Sequence, residues 1–211
     1  MNTSIYDIHT HDVRRENSII SVSPGMFTPQ PSLYYSVGIH PWDSLIATTN
    51  DLQSLQNIVI DNQVVAIGET GIDRLKGAAL EQQIELLVQH ILLSEKHQKP
   101  LILHVVRAIE IIIALHRKHK PTQQWIIHGY RGNEQSAQQL LRENIHLSFG
   151  EKFNVKAVEI TPLEKLWIES DESPADISSI YSNIAQIKNI TMEQLKQSIA
   201  NRAEKLFFQV E

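Results

Sequence analysis

The chain has 211 residues, and its 19 basic and 24 acidic side chains leave a formal charge of −5. That length supplies a full hydrophobic core for one medium-sized domain, and 42% apolar with 20% charged residues excludes disordered and fibrous classes. Cysteine is absent, which excludes disulfides, iron–sulfur clusters and thiolate metal sites, so any metal must be held by His, Asp or Glu.

Taken in chain order, Met1–Thr10 shows no basic stretch leading into an apolar one, so no signal peptide is expected. Short runs rich in β-branched and aromatic residues predict eight strands: Ile5–His9, Ser18–Val22, Tyr34–Ile39, Val64–Gly68, Leu101–His104, Trp125–His128, Ile145–Phe149 and Leu166–Glu169. The link between the first two is shorter than the dozen or so residues of an ordinary parallel crossover. The next link, 23–33, carries Pro24, Pro29 and Pro31, which oppose a helix. Helical periodicity follows over Ala78–Gln98, with an apolar stripe of Leu80, Ile84, Leu87, Val88, Ile91 and Leu92. Ala108–His119, Glu134–Glu143 and Ile177–Lys188 also read as helices. A last helix opens at Thr191, where Thr191-Met192-Glu193-Gln194 fits a capping box, and its stripe is Met192, Leu195, Ile199 and Leu206.

Strands alternating with helices predict a single α/β domain over 1–211: a shortened (β/α)8 TIM-like barrel whose first outer helices are reduced or absent. The apolar stretches Leu101–Val106 and Ile109–Leu115 are far below the ~18 residues of a membrane span, so a cytoplasmic protein with no membrane partner is expected.

Asp7-Ile8-His9-Thr10-His11 carries the strongest chemical signal. Residues i and i+2 of a strand project to one face, so His9 and His11 can reach one cation. Glu69, His104 and His128 each end a predicted strand, and Asp171 follows the last one. In a parallel barrel such strand ends converge on one mouth. Four imidazoles and two carboxylates suit a binuclear site in which one carboxylate, Glu69, bridges two divalent metal ions. These donors favour zinc or manganese and also admit magnesium, iron or nickel. Arg131 and Lys152, each just past a strand end, are candidate phosphate contacts. The basic run His116–Lys120 lies in the last turn of a predicted helix, where cations complement the helix dipole. Trp42, Trp125 and Trp167 read as core or rim aromatics.

The chain resembles the TatD-type metal-dependent deoxyribonucleases of the amidohydrolase-like barrels. The matching segments are Asp7–His11, Gly38-Ile39-His40-Pro41, Gly68-Glu69-Thr70-Gly71-Ile72-Asp73, Pro100–Ala108, His128-Gly129-Tyr130-Arg131-Gly132 and Pro162–Pro174 with its Glu169-Ser170-Asp171. The resemblance implies that His9, His11, Glu69 and Asp171 hold one metal, and that Glu69, His104 and His128 hold the other. It places His40 beside substrate or metal water without ligating. It further implies hydrolysis of a phosphodiester, typically DNA from its 3′ end, by a metal-activated water. Asp171 is the candidate general base, with service as ligand alone as the alternative.

Three departures bear on substrate, one of them the shortened links of the first third, which remove surface beside the mouth. The family's Arg two residues past the His104 position is replaced by Val106, with Arg107 one place on; a shift of one residue reverses direction on a strand, so Arg107 reaches the mouth only if the chain has left it. The family's Arg-Asn-x-Pro element after Asp171 is missing, and Pro174-Ala175-Asp176 runs almost directly into a helix. The substrate is thus DNA or, on the same metals, a small phosphoester or an amide; a binding module without turnover is the remaining alternative. Either a monomer or a homo-oligomer is compatible with the sequence.

Overall fold

The computed structural model describes residues 4–208; Met1–Thr3, part of the stretch read for a leader, and residues 209–211 lie outside it. Eight parallel strands form one sheet in sequence order. They are β1 (Asp7–Thr10), β2 (Ser18–Val22), β3 (Tyr34–Val37), β4 (Val64–Asp73), β5 (Leu101–Val106), β6 (Trp125–Ile127), β7 (His146–Phe149) and β8 (Leu166–Ile168). The helices are α1 (Thr49–Ile58), α2 (Leu80–His97), α3 (Ile109–His119), α4 (Glu134–Arg142), α5 (Val155–Ile160), α6 (Ile177–Lys188) and α7 (Met192–Phe208). This is the strand order of the expected (β/α)8 fold, and the first two crossovers lack an α-helix, as expected. The link over 11–17 still suffices for a parallel return: fully extended it reaches roughly 20 Å, against about 13 Å for a four-residue strand.

The chain packs as two compact units. One takes the chain up to Ile20 and again from Ile127 onward; the other runs Ser21–Ile126. In the first, β7 and β8 pair in register from Leu147↔Leu166 to Phe149↔Ile168, and Thr10 of β1 bridges Asp171 just past β8. Its core holds Ile8, Leu147, Phe149, Trp167, Ile168 and Tyr181, none more than 1% exposed. The final helix opens with the expected capping box: the Thr191 N–H donates to Gln194 Oε1 and the Gln194 N–H to Thr191 Oγ1. Its buried face runs Leu195, Ile199, Ala203 and Phe207, so the expected stripe is corrected at its ends, where Met192 and Leu206 are half-buried. His146 opens β7 and accepts from the Trp167 indole at 3.0 Å, a packing contact.

In the second unit, β3, β4 and β5 carry a core of Val37, Ile67, Ile72, Leu101 and Leu103. The fourth strand continues through the whole Gly68–Asp73 motif, well past the expected Gly68. Glycine is required there. A Cβ on Gly71, at φ 147°, would stand 2.0 Å from the His104 carbonyl oxygen, and one on Gly68 would stand 2.5 Å from that of Ile102. The buried face of α2 is Gln83, Leu87, His90, Ile91, Leu93 and Ser94, while Leu92 of the expected stripe is exposed. The polar members of that face are occupied in clamping backbone, as Gln83 does to Asp73 and His90 to Ile39. Two helices, α1 and α5, were not expected. No helix among the described residues is long and apolar enough to cross a membrane.

Candidate metal centre

In the first unit, β1 and the end of β8 bring three metal-ligating side chains together. The Asp171 N–H donates to the His9 carbonyl at 2.9 Å, and the His11 N–H donates to the Asp171 carbonyl at 3.3 Å. Both histidine Nε2 atoms lie 3.7 Å from Asp171 Oδ1. His9 is fully buried, whereas His11 is partly exposed. Asp171 sits at φ 54°, in the left-handed region that Asp tolerates better than most residues.

Beneath this group, the buried Asp7 carboxylate ties the two strands. It accepts from the Ser170 hydroxyl at 2.6 Å, from the Ser170 N–H at 3.1 Å and from the His9 N–H at 3.2 Å. Burial outweighs these bonds and pushes the Asp7 carboxyl up to about 7. Ser170 Oγ also contacts Thr10 Oγ1 at 2.9 Å, so Asp7 and Thr10 hold Ser170 while His9 and His11 offer nitrogens.

His128 lies in the same unit, its ring 4.3 Å from that of His9. It faces Glu169, a fully buried carboxylate whose Oε1 accepts from the Gly129 N–H at 2.6 Å and stands 3.3 Å from His128 Nδ1. Burial raises the Glu169 carboxyl, but the neighbouring His128 and His9 rings more than offset this and hold it below the usual range. With Nδ1–H donated to Glu169, His128 presents Nε2 as a ligand atom. Beside Asp171 opens a cavity of about 260 Å³ lined by Arg131, Lys152, Glu169 and Asp171 among others. Both cations are exposed, so the sequence-derived phosphate contacts border the space next to Asp171.

In the second unit, Glu69 is the focus. Its Oε1 lies 2.8 Å from His104 Nδ1 and 3.0 Å from His40 Nε2. The Trp42 backbone N–H donates to His40 Nδ1 at 3.1 Å, so Nδ1 is an acceptor and Nε2 carries the proton toward Glu69. His40 is therefore set as a hydrogen-bond donor toward Glu69. Across from Glu69, His104 Nε2 lies 3.3 Å from Asp73 Oδ2. Burial raises the Asp73 carboxyl, yet hydrogen bonds from the Trp42 indole, the Leu75 N–H and His104 bring it below its ordinary value. Arg107 follows β5 at φ 53° and is exposed: the chain has left the strand at that point.

Each unit thus holds a group of three donors whose ligand atoms lie within 4.8 Å of one another: His9, His11 and Asp171 in one, His40, Glu69 and His104 in the other; His128, Glu169 and Asp171 form a further group in the first. Imidazole nitrogen and carboxylate oxygen are the donor set of borderline divalent cations, so the residues fit such a metal.

A family model described as TatD related DNase matches residues 25–208. The chain belongs to that family. Among curated TatD-like relatives, it is 26% identical over 197 residues to the uncharacterized metal-dependent hydrolase YabD of Bacillus subtilis, covering 83% of this chain and 77% of the relative. It is 24% identical over 198 residues to the uncharacterized metal-dependent hydrolase YcfH of Escherichia coli K12, covering 83% and 74%. The TatD homolog YJJV of Escherichia coli K12 has the same fold, with a TM-score of 0.84 at 18% identity over 100% of this chain and 99% of that one. A TatD family hydrolase of Entamoeba histolytica matches with a TM-score of 0.77 at 15% identity over 100% of both. The chain is thus a member of a family of metal-dependent hydrolases.

In this TatD chain, sequence reasoning missed two carboxylates that brace histidines. Asp73 lies four residues after Glu69 on β4, hence on the same face, and Glu169 lies two residues before Asp171. Periodicity from the named ligands would have found both.

Proposed function

We propose that this protein is a divalent-metal-dependent phosphodiesterase acting on DNA, of the 3′-exonuclease type, and that the two units work as one catalytic domain. The observation that carries this reading is the pairing of the His9-X-His11 nitrogens with Asp171 beside a cavity bordered by Arg131 and Lys152. In the reading suggested by the family, His9, His11, Glu69 and Asp171 hold one cation, and Glu69, His104 and His128 hold the other. Zinc or manganese is preferred, with magnesium, iron or nickel compatible with the donors. When bound, such ions supply Lewis acidity toward a phosphoryl oxygen and make water acidic near neutral pH. Asp171 takes the proton of the attacking water, its backbone fixed by His9 and His11. His40 donates Nε2–H toward a phosphate oxygen, and Arg131, Lys152 and Arg107 hold the substrate's negative charge. The enzyme is read as cytoplasmic, a monomer or homo-oligomer.

A cavity of about 260 Å³ also suits a small phosphoester, the second reading on the same metals. Purified protein loaded with manganese or zinc is assayed on a 5′-labelled DNA oligonucleotide and on a small phosphate ester. Stepwise release of 3′ nucleotides supports the first reading, and turnover of the small ester alone supports the second. If metal-loaded protein turns over neither substrate, both enzyme readings fall and a binding module is left; if Glu69→Ala and Asp171→Ala retain metal and activity, the assignment of these residues falls.

A further inference from the structure

The register of β4 and β5 sets Gly71 opposite His104. Glu69 and Asp73 lie on the same face of β4, two residues to either side of Gly71. The imidazole therefore spans the gap left by the glycine, with Nδ1 at 2.8 Å from Glu69 and Nε2 at 3.3 Å from Asp73. The Asp73 backbone cannot drift, because its N–H donates to Gln83 Oε1 at 2.8 Å and its carbonyl accepts from Gln83 Nε2 at 3.0 Å. Its carboxylate is gripped from the other side as well: the Trp42 indole N–H donates to Oδ2 at 2.6 Å and the Leu75 N–H to Oδ1 at 2.8 Å. Trp42 in turn packs edge-on against His40 and His104, and the Lys76 ammonium sits 3.4 Å from its ring centroid. Yet this tryptophan is 47% exposed, unlike Trp125 and Trp167.

We infer that Trp42 and Asp73 are positioning residues for His104: the indole aims the Asp73 carboxylate at Nε2–H, which fixes the ring tautomer and leaves Nδ1 to serve with Glu69 as a metal ligand. The inference rests on the proposed metal-dependent reading. A partner on the outer nitrogen is what fixes orientation and basicity of a ligating histidine, and its loss typically costs about 10–100-fold in metal affinity. Asp73 is the direct partner, and Trp42 acts through it. The half-exposed indole thus links the surface of this unit to a ligand atom within it.

The test is zinc binding by calorimetry on the full chain, with ¹⁵N NMR of the histidine rings. Wild-type protein should show His104 protonated at Nε2 and coordinated at Nδ1. Asp73→Ala should weaken zinc binding about 10–100-fold and lose the protected Nε2–H signal. Trp42→Phe keeps a ring for Lys76 but no indole N–H; it should weaken binding by a smaller factor and broaden the same signal at an unchanged melting temperature. Both variants binding zinc as wild type does, with His104 still Nε2-protonated, overturns the inference. Should Asp73→Ala fail to fold, Trp42→Phe decides alone. Wild-type protein that binds zinc without any effect at His104 Nδ1 sinks the inference and the ligand assignment together, whereas unchanged variants beside a coordinated wild type sink the inference only.

Discussion

The backbone N–H of Asp171 donates to the carbonyl of His9 at 2.9 Å. The donor group of β1 and the end of β8 is thus set by main-chain pairing before any side chain is considered. Removing the carboxylate should leave that pairing intact. Asp171→Ala is expected to lower kcat/KM by about two orders of magnitude or more, since even bracing residues of metal ligands cost 10–100-fold. Its metal-free melting temperature should fall only slightly, by the cost of an alanine at φ 54°. Steady-state kinetics of metal-loaded protein beside a thermal melt of metal-free protein checks both halves.

Glu169→Gln keeps an oxygen for the Gly129 N–H but removes the charge facing His128. Metal affinity should fall about 10–100-fold, read by competition with a chelating dye. An unchanged affinity would show that Glu169 serves packing alone.

Acid stability should turn on His90, which lies away from the proposed ligands. Its Nε2 accepts from the Ile39 N–H at 3.0 Å, its Nδ1–H faces the Leu86 carbonyl at 2.8 Å, and burial lowers its pKa to about 4. A lowered folded value favours the neutral ring, so the stabilisation is present above the ordinary value of 6.5 and is lost as pH falls toward 4. The loss across that window is about 3 kcal/mol. His146, lowered to about 3 by burial and by Arg202 and Lys165, adds in the same direction. Denaturant melts of metal-free protein at pH 7 and 4.5 should show a smaller acid loss for His90→Gln than for wild type.

Gly71→Ala should be costly, because its methyl group meets the His104 carbonyl oxygen at 2.0 Å. Forcing β4 from β5 is expected to cost about 2–3 kcal/mol, or roughly 5–10 °C in melting temperature for a chain of this size. Zinc binding at His104 should weaken in parallel, and a variant that melts and binds like wild type refutes the close approach.

Much of this was readable in the residues. Runs ending at His104 and His128 marked strands because buried parallel strands are continuous apolar stretches, and the prolines at 24, 29 and 31 argued against a helix in a link that holds a three-residue 3-10 turn, Pro24–Met26, and no α-helix. What escaped notice has physical causes. Helix α1 buries only Leu55, so it has no apolar stripe, and its one cue was the Thr48–Asp51 capping box. Helix α5 spans six residues, too short for periodicity, with Asn154 as its cap. The face of α2 was misjudged because Gln83, His90 and Ser94 are buried for the hydrogen bonds they make, which a hydrophobic count cannot register. Among the site residues, the candidate ligands at strand ends were visible, whereas Asp73 and Glu169 touch histidines that lie far from them in sequence, and only their even spacing from Glu69 and Asp171 marked them.

The unit that holds His9, His11 and Asp171 is assembled from the beginning and the end of the chain, while Ser21–Ile126 is continuous. On the ribosome the continuous unit can complete its contacts first, whereas β1 can pair with β2 at once but meets Asp171 only when residue 171 has emerged. A nascent or prematurely terminated polypeptide therefore carries the two histidines without the aspartate, and in the proposed reading this donor group is complete only with the last portion synthesised.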